Sequence, residues 1–391
     1  MNEIDIPKGW KKVKLKEVLN EGSKDKVEDT SRYQKLTIKL NLKGMEKAKV
    51  RENMADKRPF YVRKEGEIVI GKQNYFNGSI AILPKELDGG ICSNAIMSFK
   101  VKDNAVNNYI YYMLSDNNFM KRRSHLANGT GQKELSEKEF LNFDVLLPPI
   151  EEQKKIVKIF KEIDSVIKKY GNLLEEKDKL IKSQFTEMFE DKEFKEKTLD
   201  EISIISGEYG SNVSAMEYDE TLPRYVRITD ITENGKLDQN YLASPKNETN
   251  IEKYLLQYGD ILFARTGATV GKTYLYDESD GICIYAGYCI RFRLNTKIVN
   301  PEYIFRYTQT RQYLKWVDIV KRGGAQPNIN SKQYGSITIP IPPIELQNKF
   351  EEFVKQVDKQ KLLLEQQKQN YENLKKGLMQ KLLTGKVRVK I

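Results

Sequence analysis

The sequence predicts a mixed α+β protein in which two globular parts alternate with two long helices, the helices pairing as an antiparallel coiled coil about a pseudo-twofold internal repeat. Three observations predict it. The stretch "LLPPIEEQKKIVKIF" beginning at residue 146 returns as "PIPPIELQNKFEEFV" beginning at residue 340. At an offset of 194, Pro148, Pro149, Ile150, Glu151, Gln153, Lys155, Lys161 and Asp164 recur, eight identities in 17 ungapped positions, so the repeat takes precedence over any local reading. The match extends along the chain: "GTGQKELSEKEF" (129–140) lies over "GGAQPNINSKQY" (323–334), "EGEIVIGK" (65–72) over "YGDILFAR" (258–265), and "WKKVKLKEV" (from 10) over "FKEKTLDEI" (from 194). Small drifts in the offset are what loop insertions produce. The third observation is a seven-residue apolar period after each Pro-Pro pair.

Taken in order, residues 1–147 form the first globular part. Short β-rich runs between Gly, Asn and Asp turns predict strands at 67–70, 80–83 and 96–101, and "NNYIYYMLSDNNFMKRR" (107–123) predicts helix. Residues 148–191 form the first helical spacer. Proline suits a first helical turn, where its missing N–H has no partner, and Glu151 and Glu152 suit the positive end of the helix dipole. Ile156, Ile163 and Tyr170 occupy one heptad position, and Ile159, Val166, Leu173 and Leu180 fall three later. Residues 192–341 repeat the globular part, with strands at 260–264 and 289–294 and helix in "PEYIFRYTQTRQYLKWV" (301–317). Residues 342–391 repeat the helix, with Phe350, Val357, Leu364 and Tyr371 seven apart, Leu374 beside them, and Gly385 as a stop. Each helix is expected to run about 40 residues, or about 60 Å.

Composition narrows the function. A net charge of +11 points to a polyanionic partner, most often nucleic acid. No apolar run approaches a membrane span of about 20 residues, and the N-terminal stretch lacks the apolar core of a secretory signal. Three cysteines, an odd number, fit a reducing, cytoplasmic setting, with Cys92 and Cys283 as small buried residues of one strand in each copy. With His125 the only histidine and no Cys-x-x-Cys, neither a metal site nor a Ser-His-Asp triad is expected.

Catalytic motifs fail on spacing. "GATVGKT" (267–273) has three residues between Gly and Gly-Lys-Thr where a phosphate loop needs four. "LPPI" and "IPPI" lack the Asn or Asp and the aromatic of the Asn-Pro-Pro-aromatic signature of amino-methyltransferases. What remains is binding. Basic and amide side chains cluster beside glycines, which let a ligand approach the backbone. Lys and Arg can neutralise phosphate, and Arg, Gln and Asn can pair with base edges. The candidates are Lys72, Asn74, Arg122, Arg123, Thr130, Gln132 and Lys133 in the first copy, and Arg227, Arg265, Thr266, Lys272, Lys321, Arg322, Gln326 and Asn328 in the second.

The Pro-Pro pairs, the "IEEQ" and "IELQ" openings, the heptad helices, the "GTGQ" and "GGAQ" segments and "GDILFARTG" (259–267) together resemble the specificity subunit of a type I restriction–modification system, over essentially the whole chain. The first-copy counterpart "GEIVIGKQN" places Lys72 and Asn74 in step but lacks the Arg and Thr. The resemblance implies two target recognition domains, one per globular part, reading a bipartite asymmetric DNA site. It implies a coiled coil, paired through the heptad residues Ile156, Ile163, Tyr170, Leu173, Phe350, Val357, Leu364 and Tyr371, that spaces them and binds two methyltransferase subunits. S-adenosylmethionine and adenine methylation would belong to those partners, restriction subunits would join through them in host defence, and this chain would bind no cofactor and supply no catalytic residue. Two other classes remain open at this stage: a coiled-coil adaptor that binds protein only, and a nucleotide-dependent enzyme using residues 267–273.

Overall fold

Lys11–Lys14 pairs antiparallel with Asp144–Leu147, and Lys195–Thr198 pairs in the same way with Thr338–Ile341, so each repeat ties its beginning to the strand that precedes its Pro-Pro pair. The computed structural model describes residues 6–48, 58–126, 134–190, 192–321 and 327–389. It divides into two units, Met1–Asn172 with Glu365–Ile391, and Leu173–Leu364.

In the first unit a four-stranded antiparallel sheet has the order Leu19–Glu21, Ile96–Val101, Ile68–Gly71, Ile80–Ile82. Alternation along the strands sends Ile68, Ile70, Ile80, Met97 and Phe99 into the main core, while Val69 and Ala81 pack with Ile38 on the other face. The helix Asn107–Leu114 adds Tyr109, Ile110 and Met113 to that core. The helix expected over 107–123 stops at Leu114 and restarts as Asn117–Lys121, because Asp116 accepts a hydrogen bond from the Phe119 N–H and caps a new start. A smaller sheet joins Lys26–Val27, Phe60–Val62 and Ile91–Ser93, which holds the buried Cys92.

The second unit repeats the plan. Its four-stranded sheet has the order Ser203–Tyr209, Cys289–Leu294, Asp260–Ala264, Thr273–Leu275. Ile261, Phe263, Ile290 and Phe292 enter the main core with Tyr303, Tyr313 and Tyr334. The helix expected over 301–317 is again two, Pro301–Tyr307 and Arg311–Val320, divided where the Thr310 hydroxyl accepts from Tyr313 N–H. A carboxylate is buried at the same sheet position in each unit. Glu67 accepts from Ser98 Oγ at 2.6 Å, and Asp260 accepts from Arg293 Nε and Nη2 at 2.7 and 2.8 Å. The copies differ in the small sheet: Arg224–Val226 runs parallel to Cys283–Tyr285, whereas Phe60–Val62 runs antiparallel to Ile91–Ser93.

The long helices span Ile150–Phe189 and Ile344–Leu382, and each contributes one part to each unit. The repeated glutamine explains the repeated motif. Gln153 Nε2 donates to Pro148 O at 2.8 Å while its Oε1 accepts from Val106 N–H at 2.8 Å. Gln347 does the same with Pro342 O at 2.7 Å and Asn300 N–H at 2.8 Å. Both side chains are buried, so each start of a long helix is bolted to the helix-bearing side of its own globular part. Glu152, expected only to complement the helix dipole, is instead fully buried: it accepts from Trp10 Nε1 and from Arg388 Nε and Nη2.

Within the first unit, Asp164 takes Lys375 Nζ at 2.6 Å and the Tyr112 hydroxyl at 2.7 Å, and the Tyr170 and Tyr371 rings lie 5.8 Å apart. Within the second, Asp178 takes Lys361 Nζ at 2.6 Å, and Phe185 and Phe189 pack edge-on against Phe350 at 5.4 Å. Partner numbers rise on one helix as they fall on the other, the antiparallel pairing expected from the pseudo-twofold repeat. Ile156, Ile163, Phe350 and Val357 are buried, and Tyr170, Leu173, Leu364 and Tyr371 are half-buried. Leu180 and Leu374, placed in the stripe by the heptad count, are exposed. A seam between two helices covers less than the wide stripe a larger bundle would.

Candidate nucleic-acid interface

The second unit brings three of the predicted residues together at one end of its central strand. Past Ala264 the chain leaves the sheet, and Thr266 bridges antiparallel to Asn328. Ile329 N–H donates to Arg265 O at 2.9 Å, and Gly267 N–H donates to Pro327 O at 3.1 Å. This pins the two glycine-flanked segments that the sequence singles out, 60 residues apart, against each other. The Arg265 side chain then has two supports: its Nε donates to Asn328 Oδ1 at 3.4 Å, and its guanidinium lies 4.7 Å over the Tyr209 ring. Tyr209 is aimed there by a bulged strand in which Gly207 adopts φ +61°, and its hydroxyl accepts from Ser331 N–H. Tyr288, whose carbonyl accepts from Arg265 N–H, is exposed.

The remaining described candidates of this unit are engaged elsewhere. Arg227 makes a paired contact to Asp230, at 2.9 Å from Nε and 2.8 Å from Nη2, and donates to Tyr241 O. Lys272 pairs with Glu233 at 2.8 Å, and Lys321 with Asp318 at 2.6 Å. Gly267–Thr269 is a single 3₁₀ turn leading into the strand Thr273–Leu275. A phosphate loop delivers its N–H groups at a helix N-terminus, which this stretch lacks.

In the first unit the equivalent place keeps the backbone pattern and changes the side chains. Leu135 N–H donates to Lys72 O at 3.0 Å, matching Ile329 and Arg265. Lys72 Nζ sits 3.9 Å from Glu137, beside an open cleft of about 590 Å³ that Glu134, Ser136 and Glu139 also line. Asn74 is exposed and accepts from Asn77 Nδ2. Arg122 is exposed, its Nε donating to Asn118 O. Arg123 turns inward: its guanidinium stacks 3.6 Å from the Phe119 ring centre and donates to Asp144 O at 2.6 Å. Thr130, Gln132, Lys133, Arg322 and Gln326 lie outside the described residues.

Sequence reasoning missed Tyr209, Tyr288, Glu134 and Glu137. The last two were within reach, because the offset of 194 sets Glu134 on Asn328 and Glu137 on Ser331. Among the described residues, no group of His, Cys, Asp and Glu could hold a metal ion, and no helix is long and apolar enough to cross a membrane. Burial pushes the Cys92 thiol up to about 11 and Cys283 up to about 12, which fits packing rather than reactivity.

The sequence profile of the family described as "Type I restriction modification DNA specificity domain" matches residues 7–176 and 191–372. The "Type I restriction enzyme MjaVIII specificity subunit" of Methanocaldococcus jannaschii is 26% identical, over 83% of this chain and 77% of its own. The "Putative type I restriction enzyme MjaX specificity subunit" of the same organism is 27% identical over 72% and 68%. Among solved structures, the type I restriction–modification system S subunit from M. genitalium superposes with a TM-score of 0.51 at 15% identity, covering 98% of this chain and 97% of that one. A chain from work on complex assembly and conformational transition of the type I R-M system gives 0.56 at 16%, covering 98% and 100%. At these identities the structural likeness speaks to fold.

Proposed function

This chain belongs to the type I restriction modification DNA specificity domain family, and on that premise we propose that it recognises a bipartite, asymmetric DNA site and directs partner adenine methyltransferase subunits to it. The family is one of non-catalytic DNA-recognition subunits. The observation that carries the proposal is the duplication in three dimensions. The same order of the four-stranded sheet, the same pairing of first and last strand and the same glutamine bolt occur twice, while the side chains at the strand ends differ. Two similar frames with unlike reading faces suit two unlike half-sites.

In this reading, residues 1–147 and 192–341 are the two target recognition domains, and residues 148–191 and 342–391 are the spacers that fix the distance between half-sites. Two methyltransferase subunits dock on the helices, carry S-adenosylmethionine, and flip the target adenine from the stack before methylating it. Restriction subunits join through them, and the assembly works in the cytoplasm. Exchanging residues 9–147 for the same segment of a relative, with methylated adenines then mapped by sequencing, tests the proposal. One half-site should change and the other persist; a change in both together would rule out independent readers.

A further inference from the structure

We propose that Arg265 reads a guanine in the major groove and is the specificity-determining residue of the second recognition domain, an inference that rests on the DNA-recognition reading above. A guanidinium that recognises guanine must present two N–H groups in a plane, to O6 and N7, and must be held against rotation. Arg265 meets both conditions. Asn328 Oδ1 takes its Nε, and the Tyr209 ring supports its face. Among the described residues, its two terminal nitrogens make no hydrogen bond and meet no carboxylate. Four other arginines of this unit are neutralised inside the chain: Arg224 by Asp280, Arg291 by Glu208 and Asp260, Arg293 by Asp260, and Arg306 by Glu302. Arg265 is thus a preorganised fork left open, with the exposed Tyr288 beside it to pack on sugar or base.

The first unit supplies an independent argument. Its matching backbone bond, from Leu135 N–H to Lys72 O, preserves the frame. At the positions matching Arg265, Asn328 and Ser331 it carries Lys72, Glu134 and Glu137. A residue present only to hold phosphate would be served by the same cation in both copies, since phosphates are alike along DNA. Replacement of a guanidinium, an amide and a hydroxyl by an amine and two carboxylates alters which base edge is complementary, because carboxylates accept from exocyclic amines rather than donate to guanine.

The test is selection of randomised duplex DNA by the full chain, unaltered and as Arg265→Ala and Arg265→Gln, with the bound pool sequenced. The unaltered chain should enrich two half-sites, one containing a guanine. In Arg265→Ala, discrimination at that guanine should fall by about 5- to 150-fold, with the other half-site and the thermal melting unchanged; Arg265→Gln should shift the position toward adenine. Enrichment of the unaltered motif at lower yield, with a shallower salt dependence, would make Arg265 a phosphate contact and overturn the inference. So would a second half-site without guanine. If the unaltered chain enriched no motif at all, the DNA-recognition reading itself would fall, separately from the role of Arg265.

Discussion

Removing the Gln347 side chain should loosen the second long helix from its own globular part. In Gln347→Ala, the Asn300 N–H loses its acceptor and Pro342 O its donor, and both bonds are buried. Each buried group left unsatisfied costs about 1–3 kcal/mol, so the pair costs about 2–6 kcal/mol. For a unit the size of Leu173–Leu364 that lowers the Tm by on the order of 10 °C. Scanning calorimetry of the whole protein reads this as a fall in one transition. Gln347→Glu is the sharper form. It keeps the acceptor for Asn300 but sets a carboxylate oxygen against Pro342 O. Burial would raise this carboxyl's pKa in the folded protein, so its destabilisation grows as pH rises above about 4.3, the unfolded value, and shrinks below it as the protonated carboxyl donates to Pro342 O. A Gln347→Ala protein that melts within 1 °C of the parent would refute the bolt. So would a Gln347→Glu deficit that does not change with pH.

Three further outcomes are expected. One heptad inserted after Lys177 and one after Lys361, opposite each other at the Asp178–Lys361 pair, lengthens both spacers by about 10 Å, or about 3 bp of DNA; selection from random duplexes should return the same half-sites farther apart, and a folded protein that kept the original gap would leave the helices as docking surfaces only. Burial opposes ionisation of Glu152, yet the Arg388 guanidinium and the Trp10 indole hold its carboxyl below the usual range. Its contribution is therefore present above about pH 4.3 and lost as pH falls through its folded pKa, so Glu152→Gln should flatten the acid limb of stability against pH in a circular-dichroism titration. DNA binding by the purified chain should weaken steeply with salt, without methyl transfer or cleavage; a flat salt response in a fluorescence-anisotropy titration favours a protein-only adaptor.

Much of the frame could be read from residue patterns. Strands at 96–101, 260–264 and 289–294 appear where β-branched and aromatic runs meet turns, and the helices begin at the residue after each Pro-Pro pair. What escaped depends on partners distant in sequence. Nothing near Gln153 says that it will reach Val106, and the apolar period cannot tell Leu180 from Ile181, although one is exposed and the other is buried. The site was legible as two segments and illegible as a geometry. Arg265 and Asn328 were both chosen from sequence, but the ring beneath them comes from Tyr209, in a strand whose bulge no local pattern announces.

The division of the long helices between units bears on the order in which the protein is made. The second unit is one continuous stretch, Leu173–Leu364, and can complete its core as soon as that stretch is available. The first unit begins earlier on the ribosome but cannot finish: Ile156, Val157 and Phe160 share their core with Met379, Leu382 and Leu383. At about 5–20 residues per second, the roughly 200 residues between them take roughly 10–40 s to synthesise. Through that interval the apolar face of the first helix waits without its partner. The half of the protein that is translated first is the half that folds last.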